Sequence, residues 1–351
     1  MKRQLECHPA ASALSPPQSS DRRRALGLLG KMGAVLLAGV VATGNDAQAK
    51  DFPTRPITLI VPFAPGGTTD TVARILAQLI QTRTGNTLVV DNRAGASGSI
   101  GVAAVKRAQP DGYTLLFGIQ DPVTIYPLLN KDVPYRAPRD FTPVLQFATA
   151  NVAYFVDAKS PYKTLNDLVQ AIKDKPGSIT YASLGYGTTS HFALEMLKQT
   201  NGLDVIHVPY KGSGPQMQAV LSGEVTFTAT TPVGAKPFID SGRLRPLATT
   251  GKSRNPVIPQ VPTIDETGLP PFTSEVWFGV LGPAKMPADV AAYIEKMFQD
   301  AVNSPEFKKQ ADFLGLDLTR PLSGDAFRNN LVVETQKWEQ LVRLSNMKLE
   351  K

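Results

Sequence analysis

Beyond residue 49 the chain contains two histidines, His191 and His207, and no cysteine, so residues able to do acid–base or nucleophilic work are few. Ser190 and His191 stand side by side, with Ser183 shortly upstream. A serine hydrolase would use Ser190 or Ser183 as nucleophile with a histidine such as His191 as base. Local geometry opposes that reading. No G-x-S-x-G elbow surrounds either serine, and adjacent side chains such as Ser190 and His191 do not naturally aim at each other. His207 lies in an apolar run and reads as a packed strand residue. Two histidines without H-x-x-x-H or H-E-x-x-H spacing do not make a zinc site. The expectation is a protein that is not an enzyme and uses no metal and no cofactor.

Binding chemistry is richer. Three loops combine Gly, Ser and Thr where a strand gives way to a helix, the position at which open α/β sheets hold ligands. The first is Pro62–Asp70 (PFAPGGTTD), with Phe63, Pro65, Gly66, Gly67, Thr68, Thr69 and Asp70 as candidate ligand residues. Its glycines allow close approach of the backbone and its threonines add hydroxyls, although a capped tight turn would use the same residues. The second is Asn92–Gly101, with Ala96, Ser97 and Gly98 as candidates. The third is Ala182–His191, with Ser183, Tyr186, Gly187, Thr188, Thr189, Ser190 and His191. None is a nucleotide motif: the first lacks the P-loop lysine, and the second has the wrong glycine spacing for G-x-G-x-x-G. Arg93 is the only cation in the three. An anion held there would meet backbone N–H groups, hydroxyls and helix termini.

These loops need a frame. Thr58–Phe63 is almost continuously apolar, as a buried parallel strand is. The pattern predicts helices at Thr71–Arg83 and Val102–Ala108 and strands at Leu88–Val90 and Thr114–Gly118. It resumes with helix Leu165–Lys173, strand Ile179–Ala182, helix His191–Thr200, strand Val205–Val208, helix Gln216–Ser222 and strand Val225–Ala229. A strand at Val276–Leu281 and helices at Ala288–Val302 and Asp325–Leu344 follow. Such alternation implies βαβ units and parallel sheets. The expected fold is α/β with two lobes: residues 51–150 and 274–351 form a discontinuous first lobe, and 151–273 the second.

The 351 residues are 42% apolar and 19% charged, enough for two domains of about 150 residues. The net charge is +7, but residues 1–49 alone hold six of the 37 basic and three of the 30 acidic residues. The remaining bases are mixed with acids, without the basic stripe that nucleic acid requires. Arg22–Arg24 precede the apolar run Met32–Val41, which is far short of the roughly 20 residues that span a bilayer. Ala47-Gln48-Ala49 then has the A-x-A form of a cleavage site. Residues 1–49 therefore read as a signal peptide cleaved after about Ala49, Sec-type by default although the arginines also suit a twin-arginine route. The only cysteine, Cys7, leaves with it. A soluble, disulfide-free protein of the periplasm is expected.

Taken together, the motifs resemble those of the Bug family, the extracytoplasmic receptors of tripartite tricarboxylate transporters. The resemblance runs from Phe52 to Lys348. It is carried by Arg55-Pro56-Ile57, the Pro62–Asp70 loop, Asp91-Asn92-Arg93, Asp111-Gly112-Tyr113-Thr114, Asp140-Phe141 and Tyr181-Ala182-Ser183. Gly187–His191, His207–Gly212, Val261-Pro262-Thr263, Trp277-Phe278-Gly279 and Lys337-Trp338 continue it. The resemblance implies a two-lobed periplasmic binding fold of Venus-flytrap type with two crossover strands, closing on a small organic carboxylate. Residues matching Phe63–Asp70 would hold one carboxylate group, and those matching Tyr186–His191 would complete the grip. Implied partners are a large and a small integral membrane subunit, with the chain itself a monomer; a sensor for a membrane signalling partner is the alternative. Where the family often carries an acid, this chain has Thr230, which points to an amine-free ligand unless Asp70 or Asp121 receives the amine. A dicarboxylate is the first choice, and an aromatic one suits Phe63, Tyr186 and Tyr210, whose rings can stack.

Overall fold

Every residue of strand β1 (Ile57–Val61) except Thr58 is buried, because the strand lies inside a sheet covered on both faces. The computed structural model describes residues 52–318 and 321–344; the signal-peptide expectation for residues 1–49 lies outside them. After β1 come α1 (Thr68–Thr84), β2 (Leu88–Asn92), α2 (Ser99–Lys106) and β3 (Thr114–Ile119). A π-helical turn over Asp121–Ile125 then leads into the short α3 (Tyr126–Leu129). The long β4 (Phe141–Asn151) is followed directly by β5 (Ala153–Asp157).

The middle of the chain supplies α4 (Leu165–Asp174), β6 (Thr180–Ser183), α5 (Thr189–Asn201), β7 (Ile206–Pro209) and α6 (Ser213–Leu221). It continues with β8 (Phe227–Thr230), α7 (Pro232–Asp240) and β9 (Leu244–Thr249). The return consists of β10 (Glu275–Pro283), α8 (Ala288–Val302), α9 (Pro305–Leu314), β11 (Leu322–Ser323) and α10 (Gly324–Leu344). One sheet has the order β11-β4-β10-β3-β1-β2 and the other β7-β6-β8-β5-β9, so the fold is α/β with two lobes.

The sheets are mixed, which corrects the expectation of parallel ones. β1 is parallel to β2 and β3, and β6 to β7 and β8, as βαβ units require. However, β10 runs antiparallel to both β3 and β4, and β5 antiparallel to β8 and β9. These strands arrive from the other sheet, not over a crossover helix, so nothing constrains them to be parallel. Strands β4, β5 and β9 and helices α7 and α9 were not read from the sequence. Gln146 and Thr149 interrupt the apolar pattern of β4, and Pro237 stands inside α7.

The chain passes between the sheets at Val152 and again between β9 and β10. The two passages are stitched together. Val152 N–H donates to Thr250 Oγ1 (3.1 Å), Thr250 N–H to the Val152 carbonyl (2.8 Å), and Thr250 Oγ1 to the Ser274 carbonyl (2.6 Å). Thr250 is fully buried. Elsewhere, Trp338 of α10 is buried edge-on against Phe192 of α5, with ring centroids 4.8 Å apart.

Thr250→Val keeps the shape and removes the hydroxyl, leaving the Ser274 carbonyl short of a donor. We expect a loss of about 1–3 kcal/mol in unfolding free energy, measured by urea titration. An unchanged midpoint would show that the stitch is not maintained in solution.

Candidate functional site

Helices α1 and α5 begin facing each other, each projecting from one sheet. The residue before α1 is Gly67, which has no side chain to cap the first turn. The Thr68 N–H instead donates to Ser213 Oγ of the other lobe (2.9 Å). Thr68 Oγ1 lies 2.9 Å from Thr231 Oγ1 and accepts from the Gly234 N–H (3.2 Å). The opposite exchange occurs at α5, where the Thr189 N–H donates to Asp121 Oδ1 (2.9 Å) and the Thr189 hydroxyl donates to the same oxygen. Each lobe thus completes the helix start of the other. Two further bonds cross the cleft, Ala64 N–H to the Lys211 carbonyl (3.1 Å) and Ser97 Oγ to the Tyr186 carbonyl (2.7 Å).

Glycine is required where the loops meet. A Cβ on Gly67 would lie 2.5 Å from Ser213 Oγ. Gly185 has φ +110°, and a Cβ there would lie 2.7 Å from Ser97 Oγ. Both contacts are shorter than real Cβ atoms tolerate, so a side chain at either position would displace the hydroxyl of Ser213 or Ser97 from its bond across the cleft.

Between the lobes lie two hollows. The inner one is lined by Thr68, Thr69, Asp121, Thr189, Ser190, Ser213, Thr230 and Thr231, with apolar walls from Phe63, Ile119, Val152, Leu184, Val276 and Phe278. It leaves about 20 Å³ for the centre of a water molecule, so a larger guest requires the lobes to part. The outer hollow offers about 520 Å³ on the same measure, and Ala96, Ser97, Gly98, Tyr126, Tyr186, Tyr210 and Lys211 are among its lining residues. Phe63 and Leu184 belong to both and form the partition between them.

Of the candidate residues, Phe63, Thr68, Thr69, Thr189, Ser190 and Thr230 line the inner hollow. Ala96, Ser97, Gly98, Tyr186 and Tyr210 line the outer one, together again with Phe63. Pro65, Gly66, Gly67, Asp70, Ser183, Gly187, Thr188 and His191 line neither and shape the loops instead. Asp70 accepts from the Gly66 N–H (3.0 Å) and pairs with Arg74 (2.9 Å). Burial works to raise its pKa, but these hydrogen bonds and the Arg74 charge outweigh it and hold the carboxyl below its usual range. Thr188 caps α5 by accepting from the His191 N–H.

Ser190 Oγ accepts from the Leu184 N–H (2.9 Å), and His191 Nδ1 from the Gly187 N–H (3.4 Å), so neither activates the other. The bonded serine–histidine pair is Ser183 Oγ and His207 Nε2, at 2.6 Å. His207 is stacked between the rings of Tyr181 and His191, and Ser183 is fully buried and lines neither hollow. Arg93 pairs with Asp91 and also stands outside both.

Asp121 stands outside the candidate ligand residues, although the sequence offers it, with Asp70, as an alternative partner for a ligand amine. It is fully buried and lines the inner hollow; Oδ1 takes both Thr189 bonds, while Oδ2 has no partner among the described residues. Burial pushes its pKa up to about 6 against the pull of the Thr189 bonds. No acid lies next to Thr230 in sequence, but the hollow that Thr230 lines contains the Asp121 carboxyl group, so the alternative in which Asp121 receives a ligand amine stays open. A signal was available. Asp121 follows the carboxyl end of a parallel strand, as the three loops do, but its Gln-Asp-Pro segment lacks their glycine and hydroxyl content.

A family model described as the tripartite tricarboxylate transporter family receptor matches residues 72–347. Three solved structures superpose on most of the chain. The periplasmic binding protein BugD is 31% identical, with a TM-score of 0.81, covering 85% of this chain and 99% of its own. MatC from Rhodopseudomonas palustris, with bound malate, is 29% identical with a TM-score of 0.78, covering 83% and 100%. Rpa4515 from R. palustris, with adipate, is 30% identical with a TM-score of 0.81, covering 85% and 99%.

Two buried groups make opposite demands on pH. Asp121 keeps its proton up to about pH 6 in the folded chain, against 3.8 for the free group, so its contribution to stability is lost as pH rises through 6. His191, driven down to about 4 from 6.5 by burial and then by the charge of Lys198, destabilises the fold as pH falls from 6.5 towards 4. Asp121→Asn removes the first effect alone. We expect its melting temperature to drop more steeply than wild type on acidification across this window; parallel curves would show that Asp121 does not titrate there.

Proposed function

The chain belongs to the tripartite tricarboxylate transporter family of receptors, and on that premise we propose that it captures a small organic carboxylate between its lobes. A dicarboxylate suits it best. MatC with malate and Rpa4515 with adipate, both similar along nearly their whole length, support this choice. The observation that carries the reading is the pair of helix starts, α1 and α5, facing each other across a hollow with hydroxyl-bearing walls. Hydrogen bonds to a charged group contribute roughly 1.5–3 kcal/mol each, and a helix N-terminus up to about 2 kcal/mol. A few such contacts, less the cost of ordering and closure, correspond to roughly micromolar affinity.

In this reading the lobes are residues 51–150 with 274–351, and residues 151–273, moving about the crossing at Val152 and Thr250. The loop residues that line neither hollow, Gly66, Gly67 and Gly187 among them, act by setting the approach of the lobes. The outer hollow is the way in, with Phe63 and Leu184 as its inner wall. Tyr186 and Tyr210 stand beside it, so a ring-bearing ligand would meet them first. The receptor works in the periplasm after removal of residues 1–49, as a monomer, and delivers its ligand to a large and a small membrane subunit. It does no chemistry on the ligand, in keeping with the burial of Ser183 and the separate engagements of Ser190 and His191.

A thermal-shift panel of succinate, malate, adipate, citrate, aspartate, glutamate, benzoate and terephthalate tests the binding role. A rise in melting temperature with at least one carboxylate is expected, and a flat response to all of them would overturn the reading. Small-angle scattering should show a smaller radius at saturation. Gly67→Val should weaken binding by roughly tenfold or more, through its clash with Ser213, with little change in the unliganded melting temperature. Unchanged affinity would separate this loop from capture.

A further inference from the structure

The inner hollow has an electrostatic asymmetry. Among its described lining residues there is one carboxyl group, Asp121, and no lysine or arginine. Asp121 is anchored from one side only: Thr189 occupies Oδ1, and Oδ2 has no hydrogen-bond partner among the described residues. A fully buried carboxylate oxygen without a partner is costly, because neither water nor protein replaces its lost hydration. The hydroxyls of Thr68, Thr231 and Ser213 are already engaged with one another or with backbone groups across the cleft.

An incoming dianion brought into this space would place like charges together at low dielectric, with no side-chain cation to compensate. A ligand that carries its own cation reverses the sign of that interaction. We propose that Asp121 Oδ2 is the seat of a ligand ammonium group, so that the carboxylate this receptor captures is an amino acid. The proposal rests on the inner hollow being the capture site, as argued above. In that arrangement the ligand carboxylates turn towards the helix starts and hydroxyls, while the ammonium completes the open side of Asp121. Thr230, which adjoins the same hollow, adds no charge, so recognition of the amine falls to the strand-end residue of the first lobe. Burial lifts the Asp121 pKa to about 6, so the group is mostly ionised at pH 7 while still paying for its desolvation, a state that an ammonium relieves.

Calorimetric titration of the mature chain with matched pairs tests this: aspartate against succinate, glutamate against glutarate, and phenylalanine against 3-phenylpropanoate. The amine-bearing member of whichever pair binds should bind more tightly. Asp121→Asn, which still offers Thr189 an acceptor oxygen, should weaken that member by roughly 10- to 100-fold more than its amine-free counterpart. Amine-free binding as tight as amine-bearing binding in the wild type overturns the proposal. So does an equal loss for both members in Asp121→Asn, which would mark Asp121 as a closing contact only. Binding of amine-free acids alone leaves the receptor role standing and removes this inference; silence across every carboxylate removes both.

Discussion

A backbone N–H at the start of a buried helix must find an acceptor, and here the acceptor lies on the opposite lobe. Thr68 depends on Ser213, and Thr189 depends on Asp121. That mutual dependence explains the surrounding sequence. Gly67 has no side chain because one would strike Ser213, and hydroxyl residues collect around Thr68 because a tight polar contact needs groups that both give and accept. A ligand oxygen arriving between the helix starts offers the same N–H groups an alternative acceptor. Only such differential contacts allow a ligand to shift the balance between open and closed forms.

The absence of lysine and arginine from the described lining of the inner hollow is consistent with this arrangement. A fixed cation would bind an anion strongly in either form and favour neither. Helix termini and hydroxyls are weaker individually and become effective only when both lobes surround the guest, so affinity and closure are linked. The crossing at Val152, Thr250 and Ser274 suits this role, since its hydrogen bonds run between the two connecting passages and not across the cleft.

Much of this was legible in the sequence. The apolar run at Thr58–Phe63, which contains most of β1, the glycine-rich loop ahead of α1, and Thr188–His191 at the start of α5 all carry local signatures. Helix α8 occupies the span its periodicity indicates. What could not be read is whatever depends on a partner distant in the chain. Ser213 and Thr231 look like ordinary helix-start residues until Thr68 is placed beside them. Asp121 is unremarkable in sequence because its surroundings come from residues near positions 68, 189 and 230. Strands β4 and β5 escape the sequence pattern for the same reason: they take their direction from the passage between sheets, a property of the whole topology. His207 was read as packed, and its place between Tyr181 and His191 agrees with that, but its bond to Ser183 has no sequence signature.

The position of β10 bears on how the molecule is assembled. In the first sheet β3 and β4 are separated by β10, a strand that arrives only at Glu275–Pro283. The second sheet is drawn from one continuous stretch, Ala153–Thr249. A chain emerging from its N-terminus can therefore complete the second sheet while the first still has a gap at its centre, with the edges of β3 and β4 unpaired. Closing that gap requires pairing residues as far apart as Leu116 and Leu281, the slow class of event in folding. The order of folding thus runs against the order of synthesis: the lobe encoded in the middle can form first, and the lobe encoded first must wait for the end.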